Sequence, residues 1–242
     1  MRTAVLSDVH GNLEALEAVR NAGVDRGVER WLCLGDTIGY GADPVACLAI
    51  VDEMTDVSLL GNHEAAVAGE QPDEYFTAHA RRSVEWTRQQ LSAGQRAGLG
   101  QLHLTHAEAD AFFVHAEPGD PRAWHYVHDA KDAAAALKTV QTRLVFVGHS
   151  HLAFICCATE GVHEFVHTEG LLSLAATGRY LVNVGSVGQP RDGDPRACFA
   201  IRDSELDSIE LVRVAYDVTA ARQKILAVGL PRFLADRLSQ GR

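Results

Sequence analysis

The sequence has few of the features that mark nucleic-acid-binding or membrane proteins. Its 22 Lys and Arg residues are outnumbered by 32 Asp and Glu residues, which gives a net charge of -10 at pH 7, and no basic arm or stripe is present. An acidic chain has little non-specific affinity for a phosphate backbone, so we expect no stable nucleic-acid partner. No apolar run approaches the roughly 20 residues that a membrane helix needs, so we expect no membrane association.

The cysteines lack the pattern of a disulfide scaffold or a zinc ribbon. There are five, and two of them, Cys156 and Cys157, are adjacent. A chain of 242 residues buries a sizeable core without disulfides, and such cysteines are typically reduced thiols. The first predicted strand begins within the first few residues, which leaves no room for a signal peptide. We therefore expect a cytoplasmic protein.

Apolar runs and helical patterns alternate along the first 60 residues. Asn12 is placed to cap one helix, and Asp43-Pro44 is placed to open the next, because proline suits a first helical turn. This alternation is typical of an α/β domain. Residues 72–109, rich in Ala, Arg and Gln, predict a helical insertion beside the site.

The C-terminal third consists mainly of short β-type runs separated by turn signals. These runs predict a second, mostly antiparallel sheet packed on the first, and a closing helix over Ala220 to Val228. A further helix is predicted from Asp129 to Thr139. Because no internal repeat or low-complexity linker is present, we expect residues 1–242 to form a single domain.

Five apolar runs stop at a short cluster of Asp, Asn or His. The clusters are Asp8-Val9-His10, Gly35-Asp36, Gly61-Asn62-His63, His115 and Gly148-His149-Ser150-His151. Short apolar runs bounded in this way predict buried strands, and ligands of open α/β sheets bind beyond the carboxyl ends of the strands. We therefore expect the clusters to meet in a metal site with room for more than one ion.

The spacing and chemistry of the clusters indicate the kind of metal. Asp8 and His10 are two residues apart, so on a strand both side chains leave the same face. The same holds for His149 and His151. Mixed carboxylate and imidazole ligands suit Mn, Fe or Zn, whereas an all-oxygen site would suit Mg or Ca. Asp36 can bridge two ions through its two oxygens, and two ions sharing Asp36 would use all the candidate ligands.

In their order along the chain, these motifs resemble those of the calcineurin-like binuclear metallophosphoesterases. The match spans residues 8 to 151, and the segment from Asn183 to Arg191 is similar to a loop of the small bacterial phosphodiesterase-type members. The resemblance implies a four-layer αββα sandwich in which two mixed β-sheets are flanked by helices. It implies one metal held by Asp8, His10, Asp36 and His151, and a second held by Asp36, Asn62, His115 and His149.

The same resemblance implies an activity. We expect a metal-dependent phosphodiesterase that hydrolyses a small or nucleotide-type phosphodiester by in-line attack of a metal-bridging hydroxide, with His63 as the catalytic residue facing the substrate. Two divalent ions are expected, Mn²⁺ first, with Fe, Zn, Co or Ni as alternatives. The alternative functions are a phosphomonoesterase or protein phosphatase of the same fold, and a non-catalytic scaffold. The oligomeric state is not predicted.

Two departures from the family pattern bear on the substrate. Asp36 is followed by Thr37 rather than by the phosphate-holding Arg of the protein serine/threonine phosphatases and their symmetrical dinucleotide-hydrolase relatives, which disfavours those activities. His115 is followed by Ala116 rather than by the frequent Gly. Arg191 is the first candidate to hold phosphate, because a guanidinium matches phosphate geometry; the alternative is a surface ion pair with Asp192 or Asp194.

Aromatic residues are the other candidates for substrate contact. Tyr40, Trp124 and Tyr126 have rings that could stack on a base, and buried packing is the alternative. Among these three aromatic residues, we expect Tyr40 to contact the substrate. The remaining histidines are expected to be structural; they are His79, His103, His106, His125, His128, His163 and His167.

Overall fold

A computed structural model describes residues 1–72, 76–159, 162–167 and 169–242, with only the backbone described at 159 and 162–167. Residues 73–75 of the predicted insertion, and the side chains of His163 and His167, therefore lie outside the described part. The strands are β1 (Arg2–Leu6), β2 (Arg30–Cys33), β3 (Val57–Ser58), β4 (Thr105–Ala107), β5 (Ala111–Val114), β6 (Leu144–Val147), β7 (Ala153–Thr159), β8 (Val162–His167), β9 (Gly170–Ser173), β10 (Arg179–Val184), β11 (Ala197–Asp203) and β12 (Ser208–Val214). The helices are α1 (Leu13–Asp25), α2 (Pro44–Met54), α3 (Asn62–Ala68), α4 (Ala78–Gln90), α5 (Ala93–Leu99), α6 (Ala130–Thr139), α7 (Val218–Ala227) and α8 (Arg232–Leu238).

The strands form two six-stranded sheets. Their orders are β3-β2-β1-β11-β12-β9 and β4-β5-β6-β10-β7-β8. Both sheets are mixed: β1 runs parallel to β2 and antiparallel to β11, and β10 runs parallel to β6 and antiparallel to β7. The predicted pair of mixed sheets is confirmed.

The apolar residues separate the structure into four layers. Side chains from both sheets, among them Val5, Leu32 and Phe146, share one buried cluster between the sheets. A second cluster joins the first sheet to α1 and α2, and a third joins the second sheet to α6. Helices therefore cover the outer face of each sheet, which confirms the predicted αββα sandwich.

Local capping signals place several helix starts correctly. The Asn12 side chain accepts a hydrogen bond from the backbone N–H of Ala15 at 3.2 Å, and Pro44 occupies the first turn of α2. Asp129 caps α6 by accepting from Asp132 N–H at 2.9 Å. Each cap satisfies a backbone donor that the first helical turn leaves without a partner, which is why these residue types mark helix starts.

The prediction of a separate C-terminal sheet is wrong. β7, β8 and β10 join the sheet of β6, whereas β9, β11 and β12 extend the sheet of β1. In β10 five of six residues are buried, so its apolar pattern identifies a strand covered on both faces but not its neighbours. Pairing depends on contacts far apart in the chain, and the local pattern does not contain them.

Two boundaries also differ from the predictions. The segment 72–109 contains α4 and α5, but Thr105–Ala107 is strand β4, paired antiparallel with β5. Pro231 is followed by α8, whereas the closing helix was expected to be the last element. In α7 and α8 a shared apolar cluster packs against Tyr40 and Trp86, so α8 forms part of the protein's compact structure. Among the described residues, no helix has the length and apolar character required to cross a membrane.

Candidate metal centre

The predicted metal-binding side chains converge at the carboxyl ends of the central strands. They lie in the peptides that follow β1, β2, β5 and β6 and at the start of α3. All seven are buried, the most exposed being Asn62 at 9%. The set comprises Asp8, His10, Asp36, Asn62, His115, His149 and His151. The predicted convergence of five strand-end clusters is therefore present in the structure.

The reason given for part of that convergence is wrong. β1 ends at Leu6, so Asp8 and His10 do not share a strand face. Both residues have left-handed backbone angles, with φ of 56° and 51°, and His149 and His151 have φ of 63° and 60°. A left-handed non-glycine residue costs about 1–3 kcal/mol, although Asp and His adopt it more readily than most. Turns in the backbone, not strand alternation, aim these side chains inward.

Backbone hydrogen bonds between loops hold these turns in place. Asp8 N–H donates to Gly35 O at 3.0 Å, and His10 N–H donates to Asp36 O at 2.9 Å. On the other side, Gly188 N–H donates to Asp8 O at 2.9 Å. The loop after β1 is thus tied to both of its neighbours, which offsets the cost of its strained angles.

His10 and His151 present two ring nitrogens to the same point. The Nδ1 atoms lie 3.0 Å from Ile38 O and 2.6 Å from Gln189 O, respectively. A carbonyl oxygen only accepts, so each Nδ1 carries the proton and each neutral ring has its lone pair on Nε2. The two Nε2 atoms are 3.1 Å apart. Two facing lone pairs at this distance repel unless a cation lies between them.

A second pair of nitrogens has the same arrangement. His149 Nε2 lies 2.9 Å from Trp124 O, which leaves the lone pair on Nδ1, and Nδ1 is 3.2 Å from His115 Nε2. The Asn62 Oδ1 atom lies 3.3 Å from that same His115 nitrogen. Burial lowers the pKa of His115, but the Asp36 carboxylate outweighs it and raises the pKa to about 9. Electrostatics therefore favour a positive charge at His115 Nε2.

The imidazoles of His149 and His151 are neutral. Burial lowers the pKa of His149 and of His151 to about 3. A neutral imidazole with its other nitrogen bonded to a carbonyl is the form that ligates metal ions.

The two carboxylates lie among these nitrogens. Asp8 Oδ2 accepts from His149 N–H at 2.9 Å, while its Oδ1 lies 3.1 Å from His151 Nε2 and 3.6 Å from His10 Nε2. Within the described residues no donor bonds to Asp8 Oδ1, although it is fully buried. Burial opposes ionisation, but the surrounding imidazoles outweigh it, so the pKa of Asp8 lies well below its ordinary value.

Asp36 reaches both nitrogen pairs through one oxygen. Its Oδ2 lies 3.8 Å from His10 Nε2 and 3.4 Å from His115 Nε2. The other oxygen, Oδ1, accepts from His63 N–H at 2.9 Å. One oxygen of Asp36 thus also caps the backbone of α3, and the expectation that Asp36 bridges two ions stays a prediction. The pKa of Asp36 is also lowered, since the imidazoles outweigh the effect of burial.

Sequence reasoning missed Glu64, which positions Asp36. The fully buried Glu64 carboxylate accepts backbone N–H bonds from Asp36 and Thr37, both at 2.7 Å, and from Gly61 at 3.2 Å. Burial and then the Asp36 charge raise the pKa of Glu64 to about 8. A Glu at the third position of a helix is a known capping signal, and this signal was available directly after Gly61-Asn62-His63.

His63 lies beneath the other rings of the site. It is 2% exposed, and its ring contacts those of Tyr40 and His10 at centroid distances of 4.4 and 4.8 Å, and that of Phe76 at 5.0 Å. Its Nδ1 has no hydrogen-bond partner among the described residues. Burial lowers its pKa to about 3. The catalytic role of His63 stays a prediction.

A cavity of about 840 Å³ opens beside the nitrogen pairs. Its wall includes Asn62 and His149 from the site and both predicted substrate-binding residues, Tyr40 and Arg191. The other predicted site residues lie behind this wall. Arg191 stands over the Tyr40 ring, with the guanidinium carbon 5.8 Å from the ring centroid.

The alternative ion pairs for Arg191 are not formed. Asp192 pairs with Arg213, and Asp194 pairs with Arg196 at 2.6 Å. Arg191 Nη2 instead donates to Gln189 Oε1 at 2.9 Å. Its guanidinium is therefore available to the cavity.

Trp124 and Tyr126 also line the cavity, and both have structural contacts. The Trp124 carbonyl fixes His149, and the Tyr126 ring stacks on the His149 ring at 4.2 Å with an interplanar angle of 8°. Buried packing is thus at least part of their role.

The donor set fits a divalent metal. Imidazoles, ionised carboxylates and an amide oxygen converge on one buried point, and in His10, His149 and His151 the ring nitrogen that faces away from this point is held by a backbone carbonyl. The Nδ1 atom of His115 has no hydrogen-bond partner among the described residues. Three overlapping groups of donors have their atoms within 4.8 Å of one another: Asp8, His10 and His151; His10, Asp36 and His63; and Asp36, His115 and His149. In the described part of the chain, none of the other histidines belongs to such a group.

Comparison with known proteins identifies relatives over the full length. A sequence model of the calcineurin-like phosphoesterase superfamily domain matches residues 1–206. An uncharacterised protein of Methanocaldococcus jannaschii is 38% identical over 244 residues, covering 99% of this chain and 98% of its own length. A solved metallophosphoesterase from Sphaerobacter thermophilus is 34% identical, covers 100% of this chain and 99% of its own, and has a TM-score of 0.88. A hypothetical protein from Pyrococcus horikoshii shares the fold, with 19% identity, coverage of 100% and 98%, and a TM-score of 0.81.

Proposed function

This chain belongs to the calcineurin-like phosphoesterase superfamily, and we propose that it hydrolyses a small or nucleotide-type phosphodiester with two bound divalent metal ions. The resemblance first inferred from the order of the motifs is thereby confirmed. Membership implies a phosphoester hydrolase; the diester preference and the number of ions are the proposal.

The observation that carries the proposal is that two pairs of histidine ring nitrogens lie on either side of one carboxylate oxygen, Asp36 Oδ2. One ion would be held by Asp8, His10, Asp36 and His151, and the other by Asp36, Asn62, His115 and His149. The Asp36 Oδ2 atom is within 3.8 Å of a ring nitrogen of each set, which supports a shared ligand. The mixed nitrogen and oxygen donors suit Mn²⁺, with Fe, Zn, Co or Ni as alternatives.

The chain's own residues supply the remaining parts of the reaction. Two bound ions, when present, lower the pKa of a water molecule and neutralise charge on the phosphoryl oxygens. Arg191 would hold a phosphoryl oxygen through its guanidinium fork, and Tyr40 would support that side chain from below. His63 would donate a hydrogen bond or a proton to the leaving oxygen as its charge develops.

The surroundings of the site favour a small substrate. The cavity of about 840 Å³ is of the size that holds small ligands, and the chain as a whole is acidic. We therefore propose a small-molecule substrate and no stable nucleic-acid partner. The reduced thiols of Cys33, Cys47, Cys156 and Cys198 support a cytoplasmic location.

The test combines metal analysis with hydrolysis of bis-p-nitrophenyl phosphate and p-nitrophenyl phosphate, with and without Mn²⁺. We expect two ions per chain, Mn²⁺-dependent turnover, and a higher kcat/KM for the diester. Asp36→Ala should lose both ions and turnover. Arg232→Ala, on the exposed side of α8, should retain the two ions and normal turnover. Absence of bound metal and of turnover under every divalent ion tried would favour a scaffold, and a preference for the monoester would refute the diester assignment.

A short oligonucleotide offered to the Mn²⁺-loaded protein addresses nuclease action separately. We expect no degradation above that of the metal-free control. Degradation at a rate similar to that of the small diester would contradict the proposed substrate class.

A further inference from the structure

Two arginines at the cavity wall have no carboxylate partner among the described residues. Arg191 and Arg237 both line the cavity, and neither forms an ion pair there. Arg122, a third arginine of the wall, is by contrast paired with Glu70 at 3.3 Å. In a chain with a net charge of -10, two neighbouring uncompensated guanidiniums form a local positive site.

Arg237 keeps most of its hydrogen-bonding capacity free for a ligand. Its Nε donates to the backbone oxygen of Arg242, and its guanidinium carbon lies 5.2 Å from the centre of the Phe233 ring. The two terminal nitrogens make no hydrogen bond within the described part of the chain. Burial, and then the charge of Arg191, lowers the pKa of Arg237 to about 10.

The fold holds the two arginines beside each other. The loop that carries Arg191 is joined to the C-terminal segment by a bond from Gly193 N–H to Gly241 O at 2.9 Å. Leu234 and Leu238, on the same helix as Arg237, belong to a buried cluster against which Tyr40 packs. The side chain of Arg191 lies over that same Tyr40 ring. Two guanidiniums in the wall of one cavity, neither paired with a carboxylate among the described residues, are suited to an anion.

We propose that Arg237 binds a second phosphate group of the substrate, one that is not cleaved, with Arg191 sharing its N–H donors between this group and the phosphoryl group that reacts. The inference rests on the proposed function, since it assumes a substrate seated in the cavity. A phosphate monoester carries a charge of about -1.5 to -2 near neutral pH, which two guanidiniums balance. The substrate class is therefore a phosphodiester that also bears a terminal phosphate. Arg237 lies on α8, beyond the residues that the superfamily model matches, so the model does not describe this subsite.

A matched pair of chromogenic substrates tests the proposal. The p-nitrophenyl ester of thymidine 5′-phosphate carries one phosphate, and the same ester with a 3′-phosphate carries two. We expect the Mn²⁺-loaded protein to have a kcat/KM roughly tenfold or more higher for the ester with the 3′-phosphate. The reason is that a hydrogen bond to a charged group strengthens binding by about this factor. Arg237→Ala should abolish this preference, and Arg237→Lys should restore part of it because the charge is kept without the fork. Arg232→Ala, on the same helix, should keep it.

A binding measurement separates this proposal from the proposed function. Calorimetric titration with inorganic pyrophosphate, inorganic phosphate and succinate needs no turnover. We expect Arg237→Ala to weaken pyrophosphate binding roughly tenfold and to affect phosphate less. That result without hydrolysis of any ester would leave the subsite standing and refute the phosphodiesterase proposal.

Several outcomes would overturn the subsite. They are equal kcat/KM for the two thymidine esters in the unsubstituted protein, unchanged pyrophosphate affinity in Arg237→Ala, and equally tight binding of succinate. If Arg237→Ala lowers the melting temperature, Arg237→Lys decides, because it keeps a long stem over Phe233. A stable Lys variant that restores part or all of the preference would support the subsite, and a stable Lys variant with no more preference than Arg237→Ala would contradict a role for the positive charge at this position.

Discussion

Replacing Gly188 with Ala should destabilise the protein and disturb the metal centre together. An added Cβ would overlap the carbonyl oxygen of Val9, which lies between Asp8 and His10, and would approach the Val9 carbonyl carbon to 2.6 Å. Gly188 cannot move aside freely, because its N–H donates to Asp8 O at 2.9 Å and its O accepts from Asn12 Nδ2 at 2.8 Å.

The expected loss follows from those contacts. Overpacking in a well-packed interior costs about 1–3 kcal/mol, and weakening each of two buried hydrogen bonds costs about 1 kcal/mol more. The free energy of unfolding should therefore fall by about 3–5 kcal/mol, a large part of the roughly 5–15 kcal/mol of an ordinary domain.

Urea denaturation of the metal-free Gly188→Ala variant measures the loss of unfolding free energy without a contribution from bound ions. Metal analysis of the same variant measures the disturbance of the metal centre. The control is Gly98→Ala in α5, where an added Cβ meets nothing within 4 Å. It should be neutral or stabilise by up to about 1 kcal/mol, because Ala is the better helix former. A Gly188→Ala variant within about 0.5 kcal/mol of the unsubstituted protein, the range of ordinary surface changes, would refute the steric argument.

Three further predictions concern the site itself. Chelation of bound metal should lower the melting temperature, since a ligand at 100 times its dissociation constant stabilises by about 2.7 kcal/mol; an unchanged temperature would contradict ligation by buried residues. His63→Ala should lower kcat by about 10² to 10⁴ while the metal content stays the same, and near-normal turnover with both ions bound would exclude its proposed role. Glu64→Gln should weaken metal binding by about 10- to 100-fold, because an amide keeps only one of the two oxygens that accept from the backbone of Asp36 and Thr37. Calorimetric titration with metal compares the affinity of this variant with that of the control variant Glu70→Gln.

Much of the fold was predictable because it depends on local signals. Asn12 caps a helix as expected, Asp129 begins the helix predicted there, and most strands end within one or two residues of the end of their apolar run. The neighbours of each strand were not predictable in the same way. β10 lies between β6 and β7 through contacts that its own six residues do not encode, so the division of the C-terminal strands between two sheets was missed.

The candidate site was predictable at the level of residue types and order. The seven donors were found because polar residues at strand ends are unusual among apolar runs. Their orientation was not found, since it depends on left-handed turns at Asp8 and His10 and on carbonyls such as that of Gln189. A carbonyl has no signature in a sequence, because every residue has one. Only the folded chain shows which carbonyl meets which imidazole.

The structure supports the proposed metal ligands by a different argument from the one that supports the proposed substrate contacts. The proposed ligand set rests on one physical argument: ring nitrogens and carboxylates that face one another in a buried site are stabilised by a cation between them. The contacts at Tyr40, Arg191 and Arg237 follow from no such requirement, because each residue would be stable in another role. What distinguishes the two arginines is their shared lack of a carboxylate among the described residues, and α8, the helix that brings Arg237 to the wall, was not predicted from the sequence. The proposed reaction type therefore rests on the strand ends, and the proposed substrate choice rests on the C-terminal helix packed beside them.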